Sequence, residues 1–210
     1  KFITVSDLIA YRLKQERFIQ REVETFLPTQ FGDFNIIGYR DTITNCEHVA
    51  LIKDDKSNKI PLIRVHSECL TGDIFHSLKC DCNWQLHKAL EMINEYGKGA
   101  LIYMRDHEGR GIGLINKLKA YKLQEEGQDT IEANISLGFA PDLRNYGVGA
   151  QIILDLGFTT FNLITNNPKK IIALKGYGLN VNDIVKLESE INKYNKRYMD
   201  TKKDKMDHML

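Results

Sequence analysis

The chain has 210 residues, of which 42% are hydrophobic and 27% charged. That composition is globular and excludes wholesale disorder; at about 100–200 residues per domain it makes one large domain, with or without an appendage. The 29 basic and 28 acidic side chains leave a net charge of +1, which argues against a dedicated nucleic-acid binder or a polybasic membrane binder.

No apolar run approaches the roughly 18 residues of a membrane span. The N-terminal stretch KFITVSDLIAYRLKQERF is charged and periodic and lacks a signal-peptide core. A cytoplasmic protein with reduced cysteines is therefore expected. Residues 6–24 carry the spacing of an amphipathic helix, with Leu8, Ile9, Leu13 and Phe18 set among charges and Ser6 at the N-cap position. They are expected to form a linker or packing arm over residues 1–26, broken at Leu27-Pro28-Thr29. Short β-like runs follow at Phe34–Tyr39, His48–Lys53 and Pro61–His66, with a turn at Asp54-Asp55-Lys56-Ser57-Asn58. Trp84–Tyr96 reads as a helix ending before Gly97, and Ala100–Met104 as a buried strand. A glycine-rich turn at Gly109–Gly113 leads into a helix over Leu114–Glu126, stopped at Gly127. Asn145–Leu156 is a further helix, Phe161–Thr165 a strand, and Asn167-Pro168 the start of another helix. The charged tail, Tyr198–Leu210, is expected to be surface-bound or partly disordered. Strands alternating with helices give an α/β fold: a mixed, barrel-like sheet flanked by helices, in a single compact domain over residues 27–210.

Cys69, Cys80 and Cys82 fall within fourteen residues, and Cys46 stands apart. Thiolates suit tetrahedral zinc, and three protein ligands leave a position open for chemistry, whereas structural sites take four. The same cysteines also suit a structural site completed by Cys46, His66 or His76, or simple burial as small hydrophobes. Arg64-Val-His-Ser-Glu68 places a cation, an imidazole, a hydroxyl and a carboxylate at the end of an apolar strand. The segment from Arg105 to Gly113 brings glycines and two arginines to a strand-to-helix turn, where backbone and guanidinium groups can take phosphate. Asp142-Leu-Arg144 and Thr165-Asn-Asn-Pro-Lys169-Lys170 add a second anion-binding set. Each motif alone also suits an ordinary strand end, turn or capped helix. Together they describe a zinc site beside one or two anion sites, an arrangement for hydrolysing a phosphorylated small molecule.

In this order the motifs resemble GTP cyclohydrolase II of riboflavin biosynthesis. The likeness runs from about Leu27 to Leu210 and rests on RVHSECLTGD at Arg64–Asp73 and KCDC at Lys79–Cys82. EGRGIGL at Glu108–Leu114, Asp129-Thr130, TNNPKK at Thr165–Lys170 and the tail at Lys205–His208 add to it. The resemblance implies hydrolysis of GTP to formate, pyrophosphate and a diaminopyrimidinone, with one zinc per subunit and magnesium on the triphosphate. It places the zinc on Cys69, Cys80 and Cys82. It places GTP contacts on Arg64, Val65, His66, Ser67, Glu68, Gln85, Glu108, Gly109, Arg110, Thr130, Thr165 and Lys170. Asp142 and Arg144 fall on a proposed catalytic pair, Arg144 as nucleophile with Asp142 as its base, and Tyr121 on a tyrosine near the purine. A guanidinium is a poor nucleophile, so charge stabilisation is the conservative role for Arg144. His76 and Asn83 stand where the family mostly has glycine, and Asn145 where aspartate is commoner. A regulatory nucleotide-binding module with the same fold and zinc site but little turnover is the alternative. The resemblance also implies a homodimer with no nucleic-acid or membrane partner. The N-terminal segment is similar to the joint of bifunctional riboflavin proteins, which carry a dihydroxybutanone phosphate synthase upstream.

Overall fold

A computed structural model describes residues 3–4, 8, 11–12, 15–206 and 208–209. Ser6, Ile9 and Leu13 of the expected N-terminal helix lie outside the described residues. Seven strands form one mixed sheet: β1 (Ile19–Thr29), β2 (Gly32–Asp41), β3 (Glu47–Asp54), β4 (Leu62–Ser67), β5 (Lys98–Met104), β6 (Thr160–Ile164) and β7 (Asn180–Val185). Their order is β1-β2-β3-β5-β4-β6-β7. β1, β2, β3 and β5 pair antiparallel, whereas β5, β4, β6 and β7 run parallel. The edges β1 and β7 do not meet, so the sheet is open rather than barrel-like.

The helices are α1 (Leu70–Asp73), α2 (Cys82–Tyr96), α3 (Leu114–Glu125), α4 (Thr130–Ser136), α5 (Gly147–Asp155), α6 (Pro168–Gly176) and α7 (Lys196–Met206), with a 3₁₀ turn at Glu108–Arg110. Each face of the sheet buries its own apolar set. Ile37, Ile63, Val65, Ile102 and Met104 pack with Val148, Ile152 and Ile153 of α5 and Leu174 of α6. Phe34, Leu62, Leu101 and Ile164 pack with Ala89, Leu90 and Ile93 of α2. Side chains alternate along a strand, so Arg64 and His66 share the α2 face with Leu62, while Val65 points into the opposite core.

This alternation positions the site. From β4 the chain crosses by α2 to β5 on one side, and later returns by α5 to β6 on the other. Ligands in open α/β sheets bind outside the strand carboxyl ends at such a reversal. The ends of β4, β5 and β6 here present Ser67, His107 and Thr165 to one cleft.

Three expectations are corrected. Residues 19–24, expected in a helix, belong to β1, and Leu27-Pro28-Thr29 continues that strand instead of ending a helix. β1 is an edge strand exposed along most of its length, so it shows no buried alternation; its charges pair across strands, Glu22 with Arg40 at 3.0 Å. Proline is tolerated at such an edge. The tail forms α7, with Met199, Thr201, Lys202 and Met206 buried. α4 and β7 add elements the sequence reading left without structure.

Candidate active site

Cys69 ends the segment after β4, and Cys80 and Cys82 lie at the start of α2, brought round by the short turn of α1. Their sulfurs all lie within 4.8 Å of one another, and Cys69 Sγ is 3.8 Å from Cys80 Sγ. Tetrahedral zinc at about 2.3 Å from each sulfur sets two of them about 3.8 Å apart, so the spacing suits the ion. The charge state points the same way. Sulfur hydrogen bonds from Cys80 and Cys82 pull the Cys69 thiol well below its ordinary range. The bond to Cys69 pushes Cys80 up to about 12, and Cys82 is pushed up by Cys69 and Cys80. Three thiolates so close cannot ionise together without a cation among them. The donor set therefore fits zinc. Cys46, His66 and His76 do not join this cluster. Gly72 lies against it: a Cβ there would stand 2.8 Å from Cys80 Sγ and 3.0 Å from Cys69 Sγ.

Beside the sulfurs the cleft is cationic. Arg64, Arg110, Arg144, Lys170 and Lys202 line it. Lys170 is buried, and its ammonium donates to the Val65 carbonyl at 2.8 Å; burial, then Arg64 and Arg144, push its pKa well down. Arg64 donates to the Ile164 carbonyl at 3.0 Å and to Gln85 Oε1, while its Nε and Arg110 Nη1 are buried with no hydrogen-bond partner. Such orphaned cationic donors call for an anion. Gln85 in turn donates to Asp81 at 2.6 Å, and Lys202 of α7 donates to the other Asp81 oxygen at 2.6 Å.

Arg144 forms a two-point pair with Asp142, Nε to Oδ1 at 2.8 Å and Nη2 to Oδ2 at 2.6 Å. Burial opposes its charge, but Asp142 wins and raises the pKa. Its remaining Nη1 lies 3.4 Å from Ser67 Oγ. Ser67 Oγ is 3.1 Å from His107 Nδ1, and His107 Nε2 is 3.2 Å from the Asn145 carbonyl. A carbonyl only accepts, so Nε2 carries the ring proton and the serine hydroxyl donates to Nδ1. Burial, then Arg144 and Lys170, lower His107 to about 3. It is neutral at physiological pH.

His66 pairs with Asp73 at 3.1 Å, and Asp73 also accepts from Tyr103 at 2.8 Å and from the Cys69 amide at 3.0 Å. Thr71 Oγ1 lies 3.1 Å from the Tyr121 hydroxyl. Thr130 and Thr165 line the cleft, the latter accepting from the Asn167 amide at 3.0 Å. Glu68 lines it too and accepts from the Asp106 amide at 3.1 Å. Val65 enters only through its carbonyl, because its side chain is in the core. Glu108 is turned away: its oxygens accept from Lys117 at 2.5 Å, Leu70 N at 2.6 Å and Gly109 N at 3.0 Å.

Of the eighteen residues singled out from the sequence, fifteen line the cleft, and Val65, Glu108 and Asp142 do not.

Sequence reasoning missed Lys117, His107, Tyr198, Lys202 and Asn134, all of which line the cleft. Helical spacing held part of the signal: Lys117, Tyr121 and Gln124 share a face of α3, and Tyr198, Lys202 and Met206 share one of α7. His76 sits at φ 53, the left-handed region that favours glycine, which gives a backbone reason for the residue commoner there.

The GTP cyclohydrolase II family profile matches residues 20–186. The chain belongs to the GTP cyclohydrolase II family. It is 57% identical to riboflavin biosynthesis protein RibBA of Bacillus mycoides over 211 aligned positions. Identity is 55% to the Aquifex aeolicus protein of that name and 54% to the Bacillus subtilis one. All of this chain is covered in each case, but only 52–53% of the relative. The chain thus spans about half the length of the curated relatives it matches. The crystal structure of RibBX, a two-domain 3,4-dihydroxy-2-butanone 4-phosphate synthase from A. baumannii, shares the fold at a TM-score of 0.51 and 24% identity, over 88% of this chain and 44% of that one.

Proposed function

We propose that this GTP cyclohydrolase II chain binds GTP in the cleft and hydrolyses it to formate, pyrophosphate and a diaminopyrimidinone carrying a ribosylamine phosphate, opening riboflavin biosynthesis. One observation carries the reading: a three-thiol cluster and two arginines, Arg64 and Arg110, each with a buried donor that has no partner, line the same cleft. Arg64, Arg110, Lys170 and Lys202 take the triphosphate, and magnesium accompanies it as part of the substrate. Zinc held by Cys69, Cys80 and Cys82 would supply Lewis acidity toward the purine carbon that leaves as formate.

Arg144 acts as a charge stabiliser at the α-phosphorus. Its two-point pair with Asp142 fixes the guanidinium as a cation and leaves Nη1 directed at Ser67. His107 orients the Ser67 hydroxyl. Tyr121, hydrogen-bonded to Thr71, moves a proton during ring opening. The chain acts in the cytoplasm as a homodimer, and in its full-length context is fused to a dihydroxybutanone phosphate synthase. Among the described residues, no helix is long and apolar enough to cross a membrane.

The test is to incubate the chain with GTP and magnesium, with and without a zinc chelator, and quantify formate and pyrophosphate together. Release of both is expected, with formate release abolished by the chelator. Bound GTP with neither product would favour the regulatory module.

A further inference from the structure

Three thiolates donate much negative charge to a zinc ion and blunt its Lewis acidity, so a three-cysteine centre that must activate a substrate needs that charge drawn off. One buried cation is placed to do so. Lys117, on the inner face of α3, is 8% exposed. Its ammonium donates to Cys69 Sγ at 3.1 Å and to Glu108 Oε1 at 2.5 Å. Glu108 is itself anchored by the amide of Leu70, the residue after Cys69, at 2.6 Å. The ammonium is therefore clamped between its counter-ion and one ligand sulfur.

We infer that Lys117 is a positioning residue that tunes the metal centre, withdrawing charge from the Cys69 sulfur through this hydrogen bond so that the bound metal stays electron-poor enough for formate release. The inference rests on the zinc-dependent reading above and deepens it. A carboxylate partner alone would explain a buried lysine. It does not explain why the same ammonium also reaches a sulfur of the metal cluster. Outer contacts of this kind change metal affinity or activity by roughly 10–100-fold when removed.

The test compares the wild-type chain with Lys117→Met and Lys117→Arg, each loaded with cobalt(II) for spectroscopy and with zinc for turnover. Because Lys117→Met leaves Glu108 buried and unpaired, the double variant Lys117→Met/Glu108→Gln is measured beside it. Loss of the hydrogen bond makes the sulfur more electron-rich. The sulfur-to-cobalt charge-transfer band is expected to move to longer wavelength in both methionine variants, and to return toward wild type with arginine. Formate release is expected to fall about tenfold or more, with pyrophosphate release retained. A band that does not move in a fully cobalt-loaded variant overturns the inference, whatever happens to turnover. A shifted band with undiminished formate release overturns it as well. Failure of the wild-type chain to release formate would instead strike the proposed function, and the cobalt band would still report on Lys117.

Discussion

Gly72 shows how little room the three-cysteine cluster leaves. Its missing side chain is what allows Cys69, Cys80 and Cys82 to converge, since an added Cβ would lie 2.8 Å from one sulfur, 3.0 Å from another and 2.9 Å from Cys82 Cβ. None of these neighbours is the free end of a flexible chain. Gly72→Ala is therefore expected to lower bound zinc well below one ion per chain and to lower formate release with it. Metal analysis of the purified variant checks this; full zinc occupancy would mean that the cluster can relax around a methyl group. Arg144 carries a second lesson at this scale. The family resemblance made Asp142 and Arg144 a pair, and in the structure two hydrogen bonds join them. The role it supports is that of a held cation.

At the scale of elements, α7 closes the cleft through one buried ion pair. Lys202 and Asp81 have side-chain exposures of 7% and 1%, and Asp81 also holds Gln85, which holds Arg64. Lys202→Met would leave a buried carboxylate unpaired, at a cost of roughly 3–5 kcal/mol. Asp81→Asn/Lys202→Met removes both charges and is expected to recover most of that loss. Urea denaturation of the two variants separates these outcomes: equal stability would deny the pair its structural part.

The elements legible in the sequence were those with a strong period or a clear stop. α2 ends at Gly97, at φ 85, β5 holds the apolar run Ala100–Met104, and β4 is buried on both faces. β1 was misread because a wet edge strand has no buried face to show. α4 has only seven residues, too few for a helical period, although its capping box, Asp129 with Glu132, was present in the sequence. The site followed the same division. The cysteine spacing located the three sulfurs that come together in the cleft, whereas Lys117 and Lys202 entered from helices whose surface-like charge concealed a buried face.

At the scale of the whole molecule, concentrating cations in one cleft has a consequence for acid stability. His107 is lowered to about 3 by burial, then by Arg144 and Lys170, and His208 to about 3 by burial, then by Lys202 and Arg110, from an ordinary 6.5. Between those values the unfolded chain binds protons that the folded chain does not, so stability rises with pH across that window. The contribution is fully present above about 6.5 and is lost as pH falls toward 3. The urea midpoint of the zinc-loaded chain is therefore expected to be lower at pH 5 than at pH 7, a comparison made above the ordinary carboxylate range. Zinc release in acid acts in the same direction, so the decisive comparison is with His107→Gln/His208→Gln, which keeps all three cysteines. That variant is expected to lose less stability between the two pH values than the wild-type chain does. An undiminished dependence would place the acid sensitivity in the thiolates instead of the cationic cleft. Pyrophosphate, bringing negative charge into the cleft, is expected to flatten the wild-type dependence by easing protonation of the same two histidines.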